Sequence, residues 1–157
     1  MTQTKVIGES VKQTNRTFVK SYVNDYANAI TENYRRYHLE TLTGNLSGNY
    51  PEYAKQKLAE IENGTANLMK FKVYTGKRYY KIVQQEFETW EKSRNYGKYA
   101  DGSVHCFVDK ETGDVYKPAS WSAPAKHIRF TFQNVDHLKF LLNPDNVGWA
   151  GGYLYMR

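Results

Sequence analysis

The sequence predicts an α+β fold, an N-terminal αα-hairpin followed by a mainly antiparallel β-sheet with one or two short helices. Up to residue 66 apolar residues recur every three to four positions, the repeat of one helix face, and from Leu68 the repeat shortens to two, as in a strand with one covered face. Length agrees: 157 residues suffice for one compact domain, or for a domain carrying a smaller helical lobe, and not for two full domains. The expected division is a helical extension over 1–66 and a β-rich domain with short helices over 67–157, with one compact domain overall as the alternative.

Phe18, Tyr22, Tyr26, Ile30 and Tyr34, flanked by Val19, Val23 and Ala27, form an i, i+4 ladder that predicts a Tyr-rich amphipathic helix from about Thr14 to Tyr37. Arg35, Arg36 and His38 then fall in its last turn, where cations complement the helix dipole. Thr41–Tyr50, with two glycines among Asn, Ser and Thr, predicts a loop. A second helix follows, with Pro51 at its first position, Glu52 in its first turn and Gly64 as its stop.

In MKFKVYTGKRYYKIVQ, Met69, Phe71 and Val73 alternate with Lys70, Lys72 and Tyr74; after Thr75-Gly76-Lys77, Tyr80 and Ile82 oppose Lys81. This is a β-hairpin whose exposed positions are basic. Val83, Phe87, Trp90 and Arg94 stand at helical spacing, with Glu88 and Lys92 an i, i+4 pair, so QQEFETWEKSR predicts a short covering helix. In GSVHCFVDKETGDVYKPASWSAPAK, alternation around Cys106 breaks at Lys110–Gly113 and resumes at Val115. Gly113 there fits the left-handed position of a G1-bulge hairpin. Pro118 and Pro124 end the strand and keep the WSAPA segment extended; IRFTF predicts another strand, Asn134 a capped helix over VDHLKFLL, and GGYLYM a last edge strand.

The chain carries 22 Lys and Arg against 16 Asp and Glu, a net +6 with a pI near 9.2. Residues 1–66 are nearly balanced, with 8 basic and 7 acidic side chains, whereas 67–157 hold 14 and 9, so the sheet half is the part suited to an anion. Fourteen tyrosines add flat rings with polar tips, fit for surfaces on which bases stack. One cysteine excludes an internal disulfide and a multi-cysteine zinc site. The N-terminus lacks the pattern of a secretory signal and no apolar run approaches the roughly 18 residues of a membrane span, so the expectation is a soluble intracellular protein without a membrane partner.

Catalysis finds little support. Neighbouring strand residues point to opposite faces, which would separate Cys106 from His105 and leave Cys106 buried beside Val104 and Val108. A metal-dependent nuclease often carries [D/E]-x-K at a strand end; no such triplet occurs, and Asp109, Glu111 and Asp114 merely bracket a turn. Phosphate-cradling glycine motifs are missing, and His38, His105, His127 and His137 have no helical metal-ligand spacing, so neither cofactor nor metal is expected.

Binding is better supported. Lys70, Lys72, Lys77, Arg78 and Lys81 fall within twelve residues that hold no acid, interleaved with Tyr74, Tyr79 and Tyr80; Lys117, Trp121, Lys126, His127 and Arg129 follow. Point charges for phosphates and rings for bases are what a sequence-tolerant nucleic-acid surface needs. The expected contact set is Lys70, Lys72, Lys77, Arg78, Tyr80, Lys81, His105, Lys117, Trp121, Lys126 and Arg129, with no catalytic residue. Lysines on exposed strands also guard sheet edges against aggregation.

MKFKVYTGKRYYKIV and SVHCFVDKETGDVYKPASWSAPAKHIR together resemble a small protein group encoded by tailed bacteriophages, notably cyanophage-like genomes. The resemblance spans about Met69 to Arg129 and rests on a Lys/Arg-Tyr-x-Lys-Ile strand and the S-V-H-x-F-V-D-x-x-T-G-x-V-Y-K-x-A-S-W-x-A-P-A-K block. It implies a phage origin, a place in the host cytoplasm or the virion, and no particular activity. The first 66 residues and the tail after Phe130 then read as additions that supply oligomerisation or partner choice. The functional expectation is a small non-enzymatic phage accessory protein that binds nucleic acid through a basic, aromatic sheet face. The alternatives are a virion or assembly protein or an inhibitor gripping a host protein, with the helix over 14–37 as contact or homo-oligomer face, and, last, the nuclease.

Overall fold

The computed structural model describes residues 2–155, with side chains from residue 15 onward. The architecture is α+β: α1 (Thr2–Asn45), α2 (Pro51–Glu62), β1 (Lys70–Thr75), β2 (Tyr79–Phe87), β3 (Tyr99–Asp109), β4 (Asp114–Pro118), β5 (Pro124–Thr131), α3 (Val135–Leu141) and a 3-10 turn at Gly152–Leu154. The five strands form a meander in chain order, every neighbouring pair antiparallel.

Register resolves the sheet into two rows that cross all five strands. Thr75, Tyr80, Val108, Val115 and Phe130 stand opposite one another in turn, and so do Tyr74, Lys81, Phe107, Tyr116 and Ile128. Because side chains alternate along a strand, the first row looks inward and the second outward. Val19, Val23, Tyr26, Ala27 and Ile30 of α1 share one buried cluster with Tyr80, Val108 and Val115 of the inner row and with Phe132, Leu141, Val147 and Leu154 from the C-terminal third. The helical segment is thus one layer of the core that the sheet completes. The Val19, Val23, Tyr26, Ala27 and Ile30 part of its stripe is covered by the sheet, while Phe18, Tyr22 and Tyr34 are partly buried and Tyr37 is exposed.

Several elements depart from their expected bounds. α1 continues to Asn45 through the first half of the segment expected to be a loop, the second half of which, 46–50, is the expected turn: the Thr41 and Thr43 hydroxyls donate to the carbonyls of Tyr37 and Leu39 inside the helix, and Leu42 is buried. Arg35 and Arg36 therefore lie well before its end, where both hold Glu32 and Arg36 also reaches Asp145. α2 matches its expected bounds and closes as a Schellman motif: Gly64 at φ 73° donates to Ile61, and Thr65 donates to Glu60.

The helix expected over QQEFETWEKSR is instead the end of β2 and a loop. β2 has neighbours on both sides, so its backbone gains two ladders, and the loop closes where Glu88 donates to the Lys98 carbonyl and Gly97 to Glu88. Trp90, expected to cover the sheet, is exposed. The hairpin after β3 forms as expected, with Gly113 at φ 75° donating to the Asp109 carbonyl while Asp109 Oδ1 accepts from the Glu111 and Thr112 amides. Asn134 caps α3 by accepting from the amides of Asp136 and His137. The expected last strand is the 3-10 turn, entered through Gly151 at φ 82°.

β3 differs most in detail. Ile82 pairs with Cys106 but Val83 with Val104, so His105 is an extra residue in a bulge. The bulge breaks the alternation expected to part the two residues: Cys106 is buried as expected, and His105 turns inward with it.

Candidate nucleic-acid interface

The outward row organises a cavity of about 430 Å³ beside the β1–β2 turn, lined by Tyr74, Thr75, Gly76, Lys77, Arg78, Tyr79, Lys81, Asp101, Phe107, Trp121 and Ser122. Its floor follows from register, since Tyr74, Lys81 and Phe107 are directly paired across three strands. The Tyr79 ring meets Phe107 and Tyr116 edge-on, at centroid separations of 5.9 and 6.1 Å. One wall is the loop between Pro118 and Pro124. Lys81 Nζ donates to the Trp121 carbonyl at 2.9 Å and lies 4.1 Å from the Trp121 ring centroid, holding that indole at the rim half open to solvent.

Asp101 is the one acid in the lining. Its carboxylate accepts from Gln85 Nε2 at 2.7 Å and from the Tyr74 hydroxyl at 2.8 and 3.0 Å, and those hydrogen bonds, with Lys72 and Lys81 nearby, hold its carboxyl below the ordinary range. Lys72 is exposed and lies over the Tyr74 ring at 4.8 Å. Lys77 is exposed at the turn, and Arg78 combines a contact with the Tyr79 ring at 5.1 Å with an ion pair to Asp109 at 3.6 Å.

Of the residues expected in the contact set, Lys77, Arg78, Lys81 and Trp121 converge here, and Lys72 lies beside them over the Tyr74 ring. Lys126 is exposed on β5, outside the lining. Lys70 stacks on Tyr99 at 4.0 Å and lines a separate depression beside α1 and α2. Lys117 lies 4.4 Å over the Tyr155 ring at a cavity of about 290 Å³ that shares no residue with the first.

Two members of the set, Tyr80 and His105, are corrected. Tyr80 belongs to the inward row and is 6% exposed, so it cannot stack on a base. Half-buried Arg129 uses two of its donors to hold the C-terminal turn, Nε to the Leu154 carbonyl at 2.6 Å and Nη1 to the His127 carbonyl at 2.7 Å. His105 is buried: its Nε2 lies 2.7 Å from the Tyr153 hydroxyl, which lies 2.6 Å from the Tyr26 hydroxyl, to which Cys106 Sγ donates at 3.6 Å. Burial pushes His105 down to about 4, against a hydrogen bond with the Trp149 backbone, and pushes the Cys106 thiol up to about 12. The four groups form a neutral internal chain, with His105 at the wall of the cavity that also holds Lys117.

Tyr79, Phe107 and Asp101 line the cavity although they stand outside the expected set. Strand parity carries the signal for Tyr79, which shares the face of Lys81, whereas Tyr80 does not. Asp101 reaches the site only because β3 lies beside β2, a pairing that no local spacing reveals. Among the described residues no group of three His, Cys, Asp or Glu side chains could hold a metal ion, and no helix is long and apolar enough to cross a membrane.

Fold and cavity together define an α+β protein with a five-stranded meander, one face under a long helix and the other bearing a basic, aromatic recess. The chain belongs to a family of unknown function, DUF7717, whose model matches residues 6–156. That match takes in α1, α2 and the C-terminal turn with the sheet, well beyond the 69–129 span of the phage-protein resemblance. No curated protein and no solved structure matches it.

Proposed function

We propose that this protein binds nucleic acid through the outward face of its sheet, with the recess at the β1–β2 turn as the centre of the contact. The supporting observation is the convergence of Lys77, Arg78 and Lys81 with Tyr74, Tyr79 and Trp121 in one cavity of about 430 Å³. Cations that neutralise phosphates release counterions and supply affinity without regard to sequence, while exposed rings stack on any base. Lys72 and Lys126 extend the positive field to either side.

Fluorescence anisotropy with a labelled single-stranded oligonucleotide, titrated across salt concentrations, tests this directly. A Lys72→Glu/Lys77→Glu variant alters two exposed side chains that hold no other element, and it should bind weakly with a log–log salt slope reduced by about 2. The matched Lys20→Glu/Lys55→Glu variant, on the helical elements, should change much less. Equal weakening by both pairs would show that only net charge matters and would remove the assignment to this face.

A further inference from the structure

The second cavity, of about 290 Å³, lies between the sheet and the segment that follows α3. Its floor comes from β2, β3 and β4, with Ser103, His105 and Lys117 among its residues, and its roof from residues 149–155. Four hydrogen bonds fix that roof. His105 bonds to the Trp149 backbone and, through Nε2, to the Tyr153 hydroxyl at 2.7 Å; Arg129 Nε donates to the Leu154 carbonyl at 2.6 Å; the Trp149 amide donates to Asn33 Oδ1 at 2.9 Å. The Trp149 indole also packs against the Tyr34 and Tyr37 rings, each with centroids 5.4 Å away. A cavity held in this way is formed before any ligand arrives, which spares the ligand the cost of ordering it.

The polar groups of the lining are one-sided. Lys117 is its one charged residue; half-buried, it lies 4.4 Å over the Tyr155 ring and has no carboxylate within ion-pair distance among the described residues. An ammonium carries three N–H donors, and a ring face leaves the others free. The hydroxyls of Ser103 and Tyr155, both exposed at the mouth, also have no hydrogen-bond partner among the described residues. Gln84 is engaged, its Nε2 donating at 3.2 Å to Glu86, which stands outside the lining. Deeper in, Leu154 and His105 are buried, and His105 is committed to Tyr153 and the Trp149 backbone.

A ligand matched to this arrangement carries one negative charge at the mouth and apolar bulk behind it. One ammonium balances one carboxylate, whereas a phosphate monoester, with a charge of roughly −1.5 to −2 at neutral pH, calls for a second cation. Ligand sites run from about 300 to 1,000 Å³, so this one stands at the small end and suits a single ring. We infer that the cavity binds a small aromatic monocarboxylate, its carboxylate at Lys117 with the Ser103 and Tyr155 hydroxyls and its ring against Trp149 and Leu154. Lys117, expected from the sequence to meet phosphates, thereby serves a different ligand. The cavity shares no residue with the recess at the β1–β2 turn, so this assignment stands or falls separately from the nucleic-acid reading.

The test titrates benzoate, benzamide and acetate into the isotope-labelled whole chain and follows amide chemical shifts. Benzoate should move the amides of Ser103, Val104 and residues 149–155 along a saturating curve while those of 75–79 stay in place. Benzamide, of the same shape without the charge, should bind about ten-fold more weakly, the worth of one charge-assisted hydrogen bond. Acetate keeps the charge without the ring and should also bind about ten-fold more weakly. In Lys117→Met benzoate should fall to the level of benzamide, whose own affinity stays unchanged. Lys126→Met removes the same charge from β5, outside the lining, and should leave both affinities as they were, so that loss of net charge alone cannot imitate the result.

Benzoate no tighter than benzamide, acetate as tight as benzoate, shifts that grow without saturation, or equal weakening in Lys117→Met and Lys126→Met would each overturn the assignment. The three-ligand comparison uses the parent protein alone, so it decides the point even if Lys117→Met folds poorly.

Discussion

Tyr26 in α1 and Tyr153 in the C-terminal turn meet phenol oxygen to phenol oxygen at 2.6 Å, 127 residues apart in the chain. Each also has a second partner, Cys106 for Tyr26 and His105 for Tyr153, so the pair is the middle of a four-membered chain spanning helix, strand and turn. Such a chain is satisfied as a whole, and removing any member leaves its neighbours short of a partner in a largely buried site.

Tyr153→Phe removes one hydroxyl while keeping the ring contacts to His105, Phe130 and Phe140. It leaves His105 Nε2 without its Tyr153 partner and the Tyr26 hydroxyl with Cys106 alone, and a buried group left unsatisfied costs about 1–3 kcal/mol. Urea unfolding should report a loss of that size with an unchanged m-value. The Tyr26→Phe/Tyr153→Phe double variant should cost less than the two single losses added together, since it removes both ends of one hydrogen bond. Strict additivity would dissolve the chain into independent contacts.

The same chain sets a pH response. His105 titrates near 4 in the folded protein against about 6.5 when unfolded, so between those values the unfolded state binds the extra proton. Its contribution is therefore fully present above about pH 6.5 and lost as pH falls toward 4, on the order of 3 kcal/mol in total. Unfolding midpoints measured from pH 8 to 4 should decline through this window. In His105→Gln the midpoint should be lower at pH 7 and the decline shallower, and an equally steep decline would assign the effect to other groups.

Local chemistry made part of this legible in the sequence. Gly113, Asp109 and Asn134 act through their own backbone neighbours, so the hairpin and the α3 cap follow from residue identity alone. Tyr80 shows parity misapplied: its strand position beside Ile82 already points it inward. Two features depend on partners distant in sequence. The bulge that turns His105 toward Cys106 exists only in the register against β2, and the helical spacing of Val83 and Phe87 is a coincidence inside a strand bonded on both sides. Convergence of Asp101, Lys81 and Trp121 likewise requires three segments to be assembled. Composition placed the cations and rings in the right half of the chain, and topology chose which of them meet.

Cys106 offers a probe of that core. Its thiol is fully buried and pushed up to about 12, so neither the thiolate nor access for a reagent is available in the folded state. Labelling by a disulfide reagent at pH 8 should proceed only through unfolding and accelerate with urea in step with loss of structure. Rapid stoichiometric labelling in buffer would show that α1 lifts readily from the sheet.

Gly113 and Gly64 separate two costs of adding a methyl group. Both sit at positive φ, 75° and 73°, a backbone state that costs an L-residue roughly 1–2 kcal/mol. A Cβ at Gly64 meets nothing within 4 Å, whereas one at Gly113 would stand 2.7 Å from Phe132 Cβ and 3.3 Å from Val19 Cγ2. Both neighbours are core residues, 1% exposed, on elements that meet at the turn, so relief requires the β3–β4 hairpin to move away from α1. Gly64→Ala should therefore lose only the backbone share, while Gly113→Ala should lose that share plus about 1–3 kcal/mol of overpacking. Thermal and urea unfolding of the two variants side by side give the difference. Equal losses would mean that the hairpin yields freely, and that the close fit of Gly113 between Phe132 and Val19 does not constrain the sheet against the helix.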